Sequence, residues 1–211
     1  MIILINPNST DAMTKTMVGT ASKAGVKLTG WTSYNGPAAI QGPEDGAACI
    51  PPLLKLVRKA SDAGAKTIII GCFDDTGLDA AGDIASCPVI GIGQAAYHMA
   101  VLSGRKFSVV TTLDVSVPIL EKNIHAYGFT SQLVRVRASG VPVLDLETDP
   151  AGTADVVVGE INRAVTEDKV DKVVLGCAGM GHIPAYVGNT GNTRLVDGVT
   201  SAAQLAKILA K

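Results

Sequence analysis

The sequence predicts an α/β fold of two pseudo-symmetric lobes with mostly parallel sheets, and three observations carry that reading. Short apolar, β-branched runs alternate with stretches of helical periodicity along the whole chain. A block of sequence recurs at an offset of 105 positions. With 211 residues, 47% of them hydrophobic, the chain can bury one large core or two smaller ones.

The strands are expected at Ile2 to Ile5, Lys66 to Ile70, Pro88 to Ile92, Phe107 to Val110, Lys172 to Leu175 and Arg194 to Val196. Helices are expected between them: Asp11 to Ala24, Pro51 to Ala63, Gln94 to Ser103, Val115 to Tyr127, Ala154 to Glu167 and Thr200 to Ala210. Thr10 or Asp11 can open the first helix and Gly25 can close it.

The repeat is clearest where Lys66-Thr67-Ile68-Ile69-Ile70-Gly71-Cys72 parallels Asp171-Lys172-Val173-Val174-Leu175-Gly176-Cys177. The strands at Ile2 and Phe107 keep the same 105-residue offset, and Pro88-Val89-Ile90 and Arg194-Leu195-Val196 nearly keep it. Two copies of one βα unit predict two Rossmann-like lobes, residues 1–96 and 97–199, closely joined near Gln94 to Ser103. The C-terminal helix, 200–211, is placed back on the first lobe by analogy. If the lobes face each other about a pseudo-two-fold axis, equivalent strand ends open into one cleft. Ligands of open α/β sheets bind beyond the carboxyl ends of strands, which is where Cys72 and Cys177 fall.

Composition narrows the partners. Eighteen basic and nineteen acidic residues give a formal charge of -1, and no basic cluster marks a nucleic-acid footprint. The apolar start, Met1 to Ile5, lacks a cationic leader and breaks at Pro7, and no run approaches membrane-spanning length, so cytoplasmic residence is the default expectation. Cysteines 49, 72, 87 and 177 show neither a CxxC spacing nor the density of a disulfide scaffold, and read as reduced thiols. Cys49 and Cys87, beside prolines in expected turns and without counterparts in the repeat, read as packing residues.

A thiol at a strand-to-helix junction can lie near backbone N–H groups, which would draw its pKa from about 8.5 toward ~7 or lower. Inverting a carbon centre requires a proton taken from one face and another delivered to the opposite face. Two chemically equivalent groups facing each other across a pseudo-symmetric cleft suit that task. The plainer alternative is a pair of buried structural cysteines kept by duplication.

Four separated motifs now bear on family. Ile5-Asn6-Pro7-Asn8-Ser9-Thr10 with Met13-Thr14, Gly71-Cys72-Phe73-Asp74-Asp75-Thr76-Gly77-Leu78-Asp79, Phe107-Ser108-Val109-Val110-Thr111-Thr112 and Leu175-Gly176-Cys177-Ala178-Gly179-Met180 resemble the hydantoin racemases of the aspartate/glutamate/hydantoin racemase superfamily. The likeness runs in order through Gly140-Val141-Pro142-Val143-Leu144 and Asp197-Gly198-Val199. It implies a cofactor-independent enzyme, a small ring-ureide substrate, a homo-oligomer, and Cys72 and Cys177 as base and acid at C5 of a hydantoin. Backbone N–H groups of Phe73, Ala178 and Gly179 are then candidates for the ring carbonyls, and Asn8, Ser9, Thr111 and Thr112 for amide and hydroxyl contacts. These last four could equally terminate strands and cap helices.

Allantoin racemases, amino-acid racemases and maleate isomerases share the lobes, so the motifs locate the chemistry better than the substrate. No Arg or Lys adjoins Asn8, Cys72, Thr111 or Cys177, which disfavours a free amino acid. His182 is a candidate to orient a thiol or line the pocket, against the reading of a solvated loop residue. Asp74 and Asp75 read as acidic residues at the positive end of the following helix. Two other classes compete: a non-catalytic binding protein on this scaffold, and a dinucleotide site at Gly91-Ile92-Gly93-Gln94-Ala95-Ala96, with Asp114 about twenty residues on.

Overall fold

The computed structural model describes residues 1–102, 106–188 and 194–210. Its first half contains β1 (Ile2–Asn6), α1 (Asp11–Lys23), β2 (Thr29–Thr32), α2 (Pro43–Asp62), β3 (Thr67–Ile70), α3 (Leu78–Ile84), β4 (Val89–Gly91) and α4 (Ile92–Val101). The second contains β5 (Phe107–Thr111), α5 (Val117–Ala126), β6 (Leu133–Ala138), α6 (Asp145–Thr148), α7 (Pro150–Arg163), β7 (Lys172–Leu175), β8 (Arg194–Asp197) and α8 (Gly198–Leu209). Short 3₁₀ turns at Asp114–Ser116 and Ala178–Ala185 and a π turn at Ala164–Asp168 complete it. Ser103, the expected end of the fourth helix, and Lys211 lie outside the described residues.

The strands form two four-stranded sheets, ordered β2-β1-β3-β4 and β6-β5-β7-β8, and every described pairing is parallel. The sequence repeat is also a repeat of register. Ile2 pairs with Thr67 in the first sheet and Phe107 with Lys172 in the second, so the 105-residue offset holds on both strands. Strands buried on both faces need apolar residues on both, which is why the central strands read as continuous Ile, Leu and Val. Ile3 and Ile5 pack under α2 and α3, whereas Ile2 and Leu4 turn to the opposite face.

That opposite face meets a central layer shared by both sheets. Met17 of α1, Tyr97 of α4, Leu120 and Ile124 of α5 and Ala202, Ala203 and Ala206 of α8 all join it. The helix following each sheet's last strand reaches the other sheet: α4 packs on β7 and β8, and α8 packs on β3, β4 and α1. Among the described residues, no helix is long and apolar enough to cross a membrane.

Several boundaries differ from expectation. α2 begins at Pro43 rather than Pro51, because buried Gly46, Cys49, Leu53, Val57 and Ala60 continue one apolar stripe through Pro51 and Pro52. Cys49 is therefore a helix-core residue, not a turn residue, and its thiol donates to Gly46 O at 3.2 Å. The edge strands β2 and β6 were not anticipated. β6 carries Arg137, buried among Glu160, Glu167 and Asp168 and bonded to all three.

Candidate active site

Strand order alone creates a crevice in each sheet. In β2-β1-β3-β4 the chain leaves β1 toward one side and returns to place β3 on the other, so the loops after β1 and β3 part at their carboxyl ends. Asn8 follows β1 and Cys72 follows β3; in the second sheet Thr112 follows β5 and Cys177 follows β7. These four residues line one cavity together with Met13, Ile40, Gly71, Phe73, Asp74, Ser116, Val143, Gly176 and Ala178. About 400 Å³ of space free of atoms lies between these residues, part of it open solvent at the mouth.

The two thiol loops are built alike. Gly71 N–H donates to Ile5 O at 2.8 Å, and Gly176 N–H donates to Val110 O at 2.7 Å. Asp75 N–H then closes on Cys72 O at 3.1 Å, as Met180 N–H closes on Cys177 O at 3.1 Å. The N–H two residues beyond each thiol, that of Asp74 or of Gly179, favours the sulfur's anion, and at Cys72 the Thr76 hydroxyl, 3.8 Å from the sulfur, does the same.

That help is outweighed. Burial pushes the Cys177 thiol up to about 12, and burial followed by the neighbouring Asp74 charge pushes Cys72 well above its ordinary value. The expectation of lowered thiol pKa values is thereby corrected. Neither sulfur sits on the first turn of an α-helix: α3 starts only at Leu78, and Cys177 is followed by a 3₁₀ turn. One N–H each cannot offset removal from water.

Of the anticipated contact residues, Asn8, Phe73, Thr112 and Ala178 reach the cavity, and Ser9, Thr111 and Gly179 stand back from it. Asn8 is 7% exposed, and its side-chain oxygen accepts from Asn6 Nδ2 at 2.8 Å and from Thr10 N–H at 3.0 Å. Its Nδ2 contacts Met13 Sδ at 3.2 Å. Ser9 donates to Pro37 O through both its N–H and its hydroxyl, anchoring the segment that brings Ile40 over the site. Thr111 donates from Oγ1 to Gly176 O at 3.0 Å and so ties β5 to the Cys177 loop. His182 is turned edge-on to Tyr186, away from the cavity lining.

The adjacent aspartates separate in role. Asp75 does not sit on the helix that follows it; its carboxylate accepts from Gly93 N–H at 3.0 Å, Gln94 N–H at 2.6 Å and Tyr127 Oη at 3.0 Å. It thus caps α4, and this explains the glycines of the dinucleotide-like stretch. A Cβ on Gly91 would meet Asp75 Oδ1 at 1.9 Å, and one on Gly93 would meet Phe73 O at 2.3 Å. The helix N-terminus that a pyrophosphate would use is filled by the protein's own carboxylate. Asp74 instead lines the cavity, and burial raises its carboxyl to about 6.

Met13, Ile40, Asp74, Ser116 and Val143 are the lining residues that sequence reasoning missed. Met13 comes from α1 and the other four from four different connections, and no spacing in the chain relates the five. Gln41 Oε1 accepts from Val143 N–H at 2.9 Å, joining two of these connections across the cleft. Among the described residues, no group of three or more His, Cys, Asp or Glu side chains converges as a metal site requires.

Comparison with known proteins agrees with this architecture. Residues 2–206 match the family model Asp/Glu/Hydantoin racemase. A hydantoin racemase of Rhizobium meliloti is 40% identical over 211 residues, covering 99% of this chain and 88% of that protein. One from a Pseudomonas species is 31% identical over 99% of this chain and 85% of its own length. The solved structure of an allantoin racemase from Klebsiella pneumoniae superimposes with a TM-score of 0.93 at 33% identity, over 99% of this chain and 86% of that one. The chain belongs to the Asp/Glu/hydantoin racemase family and is an isomerase of the racemase type.

Proposed function

We propose that this racemase inverts 5-monosubstituted hydantoins, with Cys72 and Cys177 acting from opposite faces of the ring. The observation that carries the reading is the pair of thiols at equivalent strand ends lining one cavity. Whichever sulfur is ionised takes the C5 proton. The electron pair passes to the adjacent carbonyl as an enolate, the opposite thiol delivers its proton to the other face of C5, and the charge returns as a thiolate on that second sulfur. Backbone N–H groups of Phe73 and Ala178 and the side chains of Asn8 and Thr112 are proposed to hold the ring, with Ser9, Thr111 and Gly179 supporting the loops that present them.

No Lys, Arg or His stands among the described residues lining the cavity, and Asp74 contributes negative charge. A free amino acid would bring its carboxylate there uncompensated, so a neutral ring ureide is favoured over aspartate or glutamate. Allantoin is the second reading, favoured by the close superposition on an allantoin racemase. The proposed chemistry uses only the chain's own side chains and backbone, with no cofactor. Four free cysteines suit a reducing compartment, for which we propose the cytoplasm. The lobe limits proposed are 1–96 and 97–199, and the homo-oligomer rests on family likeness alone.

The test is proton-deuterium exchange at the stereocentre, followed by NMR in heavy water alongside optical rotation, against an enzyme-free control. The substrates are 5-alkyl and 5-benzyl hydantoins, allantoin, aspartate and glutamate. Exchange above control with loss of rotation for a hydantoin is the expected result. Exchange for allantoin alone selects the second reading, and exchange for the amino acids alone overturns both.

A further inference from the structure

We propose that Asp74 is a positioning and specificity residue whose carboxylate accepts a hydrogen bond from a ring N–H of the substrate, fixing which way round the ring lies between the thiols. The inference rests on the ring-ureide reading above and concerns a residue that reading does not need. Asp74 is 9% exposed and lines the cavity with both cysteines. Its Oδ2 is buried with no hydrogen-bond partner among the described residues. A buried carboxylate oxygen left without a donor is costly, and the cavity is where a donor can arrive. Its neighbour Asp75 shows the contrast, with three donors already in place.

The loop is not free to turn the group away. Asn123 Nδ2, from α5, donates to Asp74 O at 2.8 Å and holds the main chain beside the site. At neutral pH a carboxyl raised to about 6 is mostly ionised, so it accepts and does not donate.

Asymmetry gives the residue its purpose. Under the 105-residue repeat Asp74 corresponds to Gly179, which has no side chain. Two equivalent thiols in a pseudo-two-fold cleft do not distinguish a ring from the same ring turned over. A hydantoin carries N–H donors and carbonyl acceptors at unequal distances from C5, and a single acceptor on one lobe selects one placement. The same charge repels a carboxylate ligand.

The experiment measures kcat and KM for a 5-substituted hydantoin and its N1-methyl and N3-methyl derivatives, with the wild-type chain, Asp74→Asn and Asp74→Ala, each checked for folding by circular dichroism. Wild type is expected to favour the parent over one methyl compound by about 10-fold to 100-fold, the range of a charge-assisted hydrogen bond. Asp74→Ala should shrink that ratio to within about threefold, chiefly through a raised KM for the parent, and Asp74→Asn, which keeps an oxygen acceptor without the charge, should lie between. Absence of discrimination in wild type means that no ring N–H is paired with Asp74, and discrimination that survives unchanged in Asp74→Ala means that the methyl group is refused by shape; either result overturns the assignment. Absence of turnover of any ring ureide by wild type overturns the ring-ureide reading itself, and the assigned partner of Asp74 with it.

Discussion

The loop after β3 and the loop after β7 share a backbone and differ in what they add to it. Both place a Gly-Cys pair at a strand end, and both close the next turn on the cysteine carbonyl at 3.1 Å. Beyond the sulfur the first loop carries Phe73, Asp74 and Asp75, where the second carries Ala178, Gly179 and Met180. Asp75 fastens its loop to α4 through polar bonds; Met180, fully buried, fastens the other through apolar packing. The repeat supplies two like thiols, and the residues that follow each one set their supports and their surroundings apart.

The largest effect is expected from breaking the equivalence of the sulfurs. Cys72→Ser and Cys177→Ser should each lower racemisation by about 10³-fold or more, since a serine hydroxyl is a far weaker acid and base at neutral pH. Each variant can still exchange the C5 proton of the enantiomer that faces its remaining thiol, which NMR in heavy water resolves. Full racemisation by either single variant would end the two-thiol mechanism.

Next in size is the response to pH. Burial raises both thiols, so the anion needed as base is scarce at neutral pH and grows as pH rises. Between about pH 6.5 and 8.5, kcat/KM should climb by nearly tenfold per unit without a plateau. A plateau near pH 7 in the free enzyme would restore the lowered-thiol expectation.

Stability separates the two loop supports. Asp75→Leu strands two N–H groups and the Tyr127 hydroxyl and should cost about 3 kcal/mol or more, whereas Met180→Leu should cost less than about 1.5 kcal/mol. Urea unfolding of the two variants gives the comparison, and equal losses would show that the loops are held the same way. The smallest effect is predicted for Thr111→Val. It removes the bond to Gly176 O and should destabilise by about 1 kcal/mol, read in the same titration.

The parts of this fold that were legible in the sequence are those whose burial is two-sided. β1, β3, β5 and β7 must be apolar on both faces, so their runs stand out and their repetition predicts the paired register. β2 escaped notice because Thr29-Gly30-Trp31-Thr32 lies half exposed at an edge, and β6 because Arg135 and Arg137 interrupt it. Cys72 and Cys177 stand out in the sequence for the same reason as their strands, as the residues just beyond their ends. Ile40, Ser116 and Val143 do not, since they meet only after connections from both sheets have closed over the cleft. The thiol pKa was misjudged because position at a strand end is visible in a sequence and dehydration is not.

α4 leaves the first sheet to lie on β7 and β8, and α8 leaves the second to lie on β3 and β4. A fragment ending after α4 would hold one sheet with its covering helix facing nothing, and that bare sheet face would accept the same helix from a second copy. The chain therefore has the form of a helix-swapped pair of like halves, with the tether written into it. Neither half is then expected to melt on its own, and calorimetry should show a single concerted transition even though two sheets are present.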